Sequence, residues 1–245
     1  MRGYAAELVK LAPDVIFLTS GVGRDAVLQE TKTIPIVALA GDLNQVGVVH
    51  NVARPEGNIT GFVYAFGSLG GRWLDLLKEA APNITRILNL RRPNASGSYI
   101  PYVEVAAHTL RVKVETATVS TAGEIEAAIK GFSTELNGGL LPDPGMLLFG
   151  SHALIRMAEQ YRLPAIYPAS SYAADGGLMS YGSDPIERVR GAASYIDRVL
   201  RGAKISDLPV QYATKFRLVI NLKAAKAIGL TMPETLIGRA DEVIE

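Results

Sequence analysis

The chain has 245 residues, of which 48% are hydrophobic, and a formal net charge of +1 from 25 basic and 24 acidic residues. This near balance, without a long basic run, argues against a nucleic-acid-binding surface. Cysteine is absent, which excludes thiolate catalysis, disulfides and cysteine metal sites, and no apolar run reaches the length of about 18 residues that a membrane-spanning helix needs.

Short apolar runs alternate with segments of helical periodicity along the chain. Strands are predicted at 14–18, 34–40, 86–90, 111–119, 138–143, 164–167, 176–182 and 216–222. Helices are predicted at 4–12, 23–31, 68–82, 99–111, 121–132, 151–162, 184–202 and 224–230. Thr121 is the expected cap of its helix, and Trp73 is expected in the core. The alternation predicts an α/β fold with parallel sheets covered on both faces, and two lobes that share one cleft are its natural arrangement.

In such sheets, ligands bind at the edge formed by the carboxyl ends of the strands. The loops at this predicted edge contain the candidate ligand-binding residues Thr19, Ser20, Gly21, Asp42, Asn94, Ser96, Asp143, Tyr167, Ser170 and Tyr181. The first three offer hydroxyls and amides for a carboxylate, with helix capping as the alternative. Asp143, fixed between two prolines, is the preferred partner of a substrate ammonium, and a plain turn is its alternative.

Most of the remaining candidates also have both a ligand-binding and a structural interpretation. Asp42 ends a strand and can accept a hydrogen bond from an amine, but a solvated turn aspartate explains it equally well. Asn94 and Ser96 precede a helix, where capping is the simpler role. Tyr167 and Tyr181 can stack on an aromatic or apolar ligand, or pack in the core. Arg91 and Arg92 can add affinity for an anion, or remain solvated.

A glycine-rich turn resembles a dinucleotide fingerprint. Gly21-Val22-Gly23-Arg24-Asp25-Ala26 matches G-x-G-x-x-A after an apolar run, and Asp42 stands about 20 residues further on, where a ribose-binding acid is expected. An NAD-dependent oxidoreductase is therefore the alternative function. However, strand–glycine–helix turns are generic in α/β proteins, and the helix that follows is shorter than a cofactor-binding helix usually is.

Other catalytic patterns do not occur. His50, His108 and His152 lie far apart in a pattern unlike that of metal ligands. The sequence contains neither a G-x-S-x-G elbow nor a G-x-x-x-x-G-K-[ST] loop. We therefore expect no enzymatic activity, no cofactor and no metal.

Four stretches together resemble one family. They are ARPEGNITGF (53–62), RWLDLLKEAAPNITRI (72–87), YRLPAIYPASSYAADGGLMSYGSD (161–184) and FRLVINLKAAKAIGLTMPETLIGRADEVIE (216–245). They are similar to ABC-transporter substrate-binding proteins of the branch with tryptophan- and tyrosine-binding members. The resemblance implies a type I periplasmic-binding-protein fold, in which two Rossmann-like lobes hold a small ligand between them and deliver it to a membrane permease.

The resemblance also implies where the lobes and the ligand lie. The first lobe is expected at 1–66 and 183–206, and the second at 67–182 and 207–245. The ligand is expected to be an amino acid, aromatic or branched, or a related carboxylate. The chain opens inside a helix and has no signal peptide as given, although the family implies a periplasmic or extracytoplasmic location. We therefore expect a first lobe that is incomplete at its N-terminus and a homodimer that covers the exposed sheet edge.

Overall fold

Helices and strands alternate through the computed structural model, which describes residues 2–19, 23–41, 43–44, 47–64, 66–93, 95 and 97–245, without the side chains of 66 and 147–149. The first part of the chain forms α1 (Arg2–Lys10), β1 (Ile16–Leu18), α2 (Arg24–Glu30), β2 (Ile36–Ala40) and β3 (Ile59–Val63). The next part forms α3 (Phe66–Ala80), β4 (Arg86–Arg91), α4 (Ile100–Leu110), β5 (Lys113–Thr118), α5 (Ala122–Phe132) and β6 (Gly138–Pro142).

Shorter elements follow. A 3-10 segment (Pro144–Phe149) leads to α6 (Ser151–Gln160), β7 (Ile166–Tyr167), α7 (Ser170–Ala174) and β8 (Met179–Ser183). The last part contains α8 (Pro185–Leu200), a 3-10 turn (Ile205–Asp207), β9 (Gln211–Tyr212), β10 (Phe216–Asn221), α9 (Leu222–Ala227), α10 (Glu234–Ile237) and β11 (Glu242–Ile244). None of the helices in the described ranges combines the length and the apolar character of a membrane span.

The chain divides into two compact units. Unit 1 contains Met1–Ala65 and Ser183–Lys215, and unit 2 contains Phe66–Gly182 and Phe216–Glu245. The sequence placed the last boundary at 206/207, whereas the structure keeps 207–215 with unit 1. The reason is that β9 pairs with β3 and that the Val210 amide donates to the Val52 carbonyl at 2.7 Å.

Unit 1 is built on a parallel sheet with the strand order β1-β2-β3-β9. Successive side chains of β2 enter two different hydrophobic clusters, because side chains alternate across a strand. Ile36 and Ala38 pack in one cluster, while Val37 and Leu39 pack in another with Ala192 of α8. Both faces of this sheet are therefore covered, as the sequence predicts for an α/β fold.

Strand β3 was absent from the sequence prediction. The structure pairs it with β2 on one side and β9 on the other, and its glycine explains the weak signal. A Cβ atom at Gly61 would lie 1.9 Å from the Ala38 carbonyl oxygen, so only glycine permits this close approach of the two strands.

Unit 2 contains two sheet segments, with the strand orders β5-β4-β6 and β11-β10-β8-β7. A parallel bridge between Leu140 and Ala165 connects them. Hydrophobic clusters cover the two faces: Ile87 and Leu141 contribute to one, and Leu88 and Leu140 to the other. The carboxyl ends of β4, β6 and β7 consequently lie along one edge of the unit, since their pairing is parallel.

Two local predictions are confirmed in unit 2. The Thr121 hydroxyl accepts the Glu124 amide at 3.2 Å, and the Glu124 carboxylate accepts the Ser120 amide at 2.6 Å, as in a capping box. Trp73 is fully buried. Its indole N–H donates to the Tyr181 carbonyl at 2.6 Å, which connects α3 to β8.

Candidate functional site

A buried carboxylate stands at the end of β6. Asp143 is 3% exposed, and its Oδ1 accepts the Gly145 amide at 2.7 Å. Burial raises the pKa of the Asp143 carboxyl, and the Gly145 amide, Tyr99 and the guanidinium groups of Arg91 and Arg92 oppose this rise only in part. The rise shows that the carboxylate lacks full compensation for its lost hydration.

Tyr99 lies beside this carboxylate and is itself held by Asn89. The Tyr99 hydroxyl donates to Asn89 Oδ1 at 2.9 Å and also interacts with the Asp143 carboxyl. Burial, followed by the negative charge of Asp143, raises the pKa of Tyr99, so the phenol remains protonated as a donor. Gly70 of α3 allows this placement, because a Cβ there would lie 2.3 Å from the Tyr99 carbonyl oxygen.

Arg91, the last residue of β4, and Arg92, which follows it, offset part of the charge of Asp143. Both lower the pKa of its carboxyl, and both side chains are half-buried. Arg91 also donates from Nη2 to the Ala95 carbonyl at 3.0 Å, which closes its own loop. The guanidinium of Arg91 is therefore engaged with its surroundings rather than solvated.

Two stacked tyrosines lie next to this cluster. Tyr167 and Tyr172 are buried, with ring centroids 4.6 Å apart and an interplanar angle of 11°. Burial is the main reason why both phenol pKa values are raised, and the charge of Asp143 adds to the shift of Tyr172. Their hydroxyls and that of Ser180 have no hydrogen-bond partner among the described residues. Tyr167 thus belongs to the core, and a ligand contact for it stays a prediction.

Two further candidates occupy the same part of unit 2. Ser170, half-buried, is the first residue of α7. The half-buried ring of Tyr181 stacks on Phe216 with centroids 6.0 Å apart, so part of its surface is already covered. A ligand contact for Ser170 or Tyr181 therefore stays a prediction.

The unit 1 candidates are only partly described. Thr19 is exposed after β1, and its carbonyl accepts the Tyr64 hydroxyl at 3.3 Å. Ser20, Gly21 and Asp42 lie outside the described residues, as do Asn94 and Ser96 of unit 2. Gly23 has the left-handed φ of 94° and precedes α2, which spans only Arg24–Glu30. This helix is shorter than the helix that usually follows a dinucleotide-binding turn.

Sequence reasoning missed Asn89, Tyr99 and Tyr172. Asn89 had a usable signal, because it interrupts the apolar run RILNL, and a polar side chain within a buried strand needs a partner. Tyr99 and Tyr172 had none, since aromatic residues near helix starts usually pack in the core. In the part of the chain that the structure describes, no group of His, Asp and Glu has the arrangement of a metal site.

Residues 3–244 match the family model for ABC transporter substrate binding proteins. The chain belongs to this family. It is the substrate-binding component of an ABC transporter, and the family implies a small-molecule ligand and a permease in the membrane. The oxidoreductase alternative based on Gly21 and Gly23 gains no support from the comparisons.

Three relatives illustrate the match. The Tyrosine-binding protein of Clostridioides difficile (strain R20291) is 23% identical over 232 residues, which cover 94% of this chain and 67% of the relative. A conserved domain protein of Vibrio cholerae has a TM-score of 0.89 and 27% identity over 99% of this chain and 82% of its own.

A third relative is an ABC domain of Streptococcus pneumoniae in complex with L-Trp. It has a TM-score of 0.86 and 23% identity, and the match covers 99% of this chain and 83% of that chain. These similarities confirm the expected type I periplasmic-binding-protein fold.

Proposed function

We propose that this chain captures an amino acid, aromatic or branched, or a related carboxylate, and that Asp143 binds its ammonium group. The observation that carries the proposal is the buried, incompletely compensated carboxylate at the end of β6. A carboxylate offers about four acceptor positions, so an ammonium can bind beside the Gly145 amide and the Tyr99 hydroxyl. The names of two relatives, which refer to tyrosine and to bound L-Trp, support an aromatic amino acid.

The chemistry of this site suits binding rather than catalysis. Its tyrosines have raised pKa values and stay protonated, while Asp143, the one buried carboxylate among the described residues, is held by fixed donors. Such a site needs geometry and charge complementarity, not a group that exchanges protons with a reacting bond. We infer that the chain acts outside the cytoplasm, as the family suggests, and does not transform its ligand.

Calorimetry with Asp143 variants tests the assignment. Wild-type protein is titrated with each of the common amino acids, and the best ligand is then titrated into Asp143→Ala and Asp143→Asn. Loss of a buried charged partner should cost about 2 kcal/mol or more, which is roughly a 30-fold loss of affinity. Asp75→Asn, which neutralises an exposed carboxylate of α3, is the matched control and should bind normally.

Two results would contradict the proposal. Unchanged affinity in both Asp143 variants would remove this residue from the site. If the wild-type protein binds none of the amino acids, amino acids are excluded as its ligands. A thermal shift with NAD, by contrast, would revive the oxidoreductase, because a ligand raises the melting temperature by mass action.

The homodimer, which the sequence predicts at an exposed sheet edge, stays a proposal, and the outer face of α8 is a different surface on which two copies can pair. Its outer face carries an apolar stripe with alternating spacings of three and four residues, as in a coiled-coil seam. The stripe consists of Ile186, Val189, Ala193, Ile196 and Leu200, of which Ile196 also packs partly against the core of unit 1. In an antiparallel pair of α8 helices from two copies, Arg190 of one copy would lie opposite Asp197 of the other, so the flanking charges are complementary.

Light scattering after size-exclusion chromatography checks this pairing. We expect a concentration-dependent dimer that Val189→Glu converts to a monomer. Leu136→Glu changes an 86% exposed side chain of unit 2 and should leave the dimer intact. A wild-type monomer at all concentrations would contradict the dimer.

A further inference from the structure

One asparagine of the chain directly precedes a glycine. Asn137 is followed by Gly138 and Gly139, whereas every other asparagine precedes a residue with a side chain. Asparagine is chemically labile, because the next main-chain nitrogen can attack its side-chain carbonyl carbon. A glycine leaves this approach open, since it has no Cβ atom. The sequence at 137 therefore suits spontaneous deamidation, and the fold decides whether the reacting groups are free.

The structure leaves both reacting groups of this pair available. Asn137 is exposed in the loop between α5 and β6, and its φ of 60° lies in the left-handed region that asparagine tolerates. The Asn137 carbonyl accepts the Thr85 and Arg86 amides at 2.9 and 3.2 Å, so Gly138, one residue further on, faces away from β4. Within the described part of the chain, the Gly138 N–H donates to no carbonyl. Both residues line an open groove, so water reaches them.

A similar pair elsewhere in unit 2 has its reacting groups occupied. Asp175 also precedes a glycine, and aspartate undergoes the same ring closure with loss of water. However, the Gly176 N–H donates to the Ala173 carbonyl at 3.2 Å, and Asp175 Oδ2 accepts the Ser151 hydroxyl. The contrast makes the pair at 137 and 138 the more reactive of the two.

We propose that Asn137 is a site of spontaneous deamidation. The Gly138 nitrogen attacks Asn137 Cγ, and the new C–N bond closes a succinimide ring. The side-chain nitrogen leaves as ammonia and takes the proton of the Gly138 amide with it. Water then opens the ring at either of its carbonyl carbons. One opening yields aspartate, and the other yields isoaspartate, in which the main chain runs through the former side chain.

The two products should affect unit 2 differently. Aspartate keeps the main chain, so the carbonyl of residue 137 still accepts the Thr85 and Arg86 amides. Isoaspartate adds one carbon to the main chain and turns that carbonyl into part of a side-chain carboxylate, so both amides lose their fixed acceptor. Gly138 has little room to compensate, because a Cβ there would lie 2.6 Å from the ring of Phe132. Isoaspartate should therefore destabilise the start of β6.

Peptide mapping of aged protein tests the proposal. The folded full chain is incubated at mildly alkaline pH and then digested with trypsin. The peptide 131–156 contains Asn137 as its only side-chain amide, and the peptide 79–86 contains the exposed Asn83, which precedes isoleucine, as the internal control. We expect the mass shift of amide-to-acid conversion to accumulate in 131–156 and not in 79–86. It should accumulate faster at higher pH, because the attacking nitrogen must lose its proton.

Two variants assign the site and its effect. Asn137→Gly fits the left-handed φ and removes the amide, so its peptide should keep its mass. Asn137→Asp reproduces the aspartate product and should melt like fresh wild-type protein. The deamidated fraction of aged wild-type protein, isolated by ion exchange, also contains isoaspartate and should melt at a lower temperature than Asn137→Asp.

A synthetic peptide with the sequence 131–156 sets the time scale. If this peptide deamidates while the same segment of the folded chain keeps its mass, the fold protects the pair and the inference fails. It also fails if Asn83 deamidates as fast as Asn137. If the deamidated fraction melts like Asn137→Asp, the inferred loss of strand pairing is wrong.

Discussion

A charged side chain stands at the strand-end edge of each unit, Asp143 in unit 2 and Arg188 in unit 1, and the two are held in different ways. In unit 2, Asp143 is buried, its Oδ1 accepts the Gly145 amide, and burial raises the pKa of its carboxyl. In unit 1, Arg188 is only half-buried and rests on the ring of Tyr64. Burying a carboxylate costs more than stacking a weakly hydrated guanidinium, so the unit 2 edge depends more on its supporting core.

This difference indicates what each edge can recognise. A buried anion is best compensated by a cation that is itself dehydrated, whereas a stacked guanidinium is suited to a planar carboxylate. Substitutions beneath the unit 2 edge should therefore change stability more than substitutions at the unit 1 edge.

The largest expected effect comes from the core beneath the unit 2 edge. Trp73 is fully buried, packs edge-on against Tyr99 with centroids 5.6 Å apart, and donates to the Tyr181 carbonyl. Trp73→Ala should lower the free energy of unfolding by about 3–5 kcal/mol, measured by denaturant titration. Hydrogen exchange should show the lost protection in unit 2 peptides. An equal loss of protection in unit 1 peptides would contradict the view that the core around Trp73 supports unit 2 alone.

A smaller effect is expected from the tyrosine beside the carboxylate. Tyr99→Phe removes the donor to Asn89 Oδ1 and one of the groups that lower the pKa of Asp143. We expect a destabilisation of about 1–2 kcal/mol and an upward shift of the pH at which ligand binding weakens on acidification. Tyr102→Phe, on the exposed side of α4, is the control and should change neither property.

Neutralising the buried carboxylate should stabilise the ligand-free protein. Because the folded-state pKa of Asp143 is raised above its ordinary value of 3.8, its contribution to stability is fully present below that value and is lost as pH rises through the folded pKa. Asp143→Asn should therefore raise the free energy of unfolding by about 1 kcal/mol at neutral pH and not at strongly acidic pH. If the free energy of unfolding rises by the same amount at every pH, burial of the carboxylate is not the cause of the gain.

Much of the fold could be predicted because the period of its apolar residues is regular. The helix capped by Thr121, the burial of Trp73 and the parallel α/β architecture all follow from local pattern. Strand β3 was not predicted because Gly61 leaves a short apolar run without one of its side chains. Strand β9 was not predicted because it has only two residues, and it pairs with β3, which is distant in the sequence. Such long-range pairing leaves little trace in a local window.

The site was less predictable than the fold. Asp143 was selected because it follows a strand and stands between prolines, and the structure shows it buried, but its role in binding stays a proposal. Tyr99 stands out because it interacts with Asp143, and Arg188 because it stacks on Tyr64; in both pairs the two residues are distant in the sequence. Their sequence neighbourhoods resemble ordinary helix faces, so pattern alone could not select them.

Proton release on ligand binding tests the central claim most directly. Calorimetry of the best amino-acid ligand is carried out in two buffers of different ionisation enthalpy, at a pH between 3.8 and the raised pKa of Asp143. An ammonium bound to this carboxylate lowers its pKa, so wild-type protein should release protons and bind more tightly as pH rises through this window, and Asp143→Asn should do neither. Proton release that persists in Asp143→Asn, or no release in the wild type, would contradict the account.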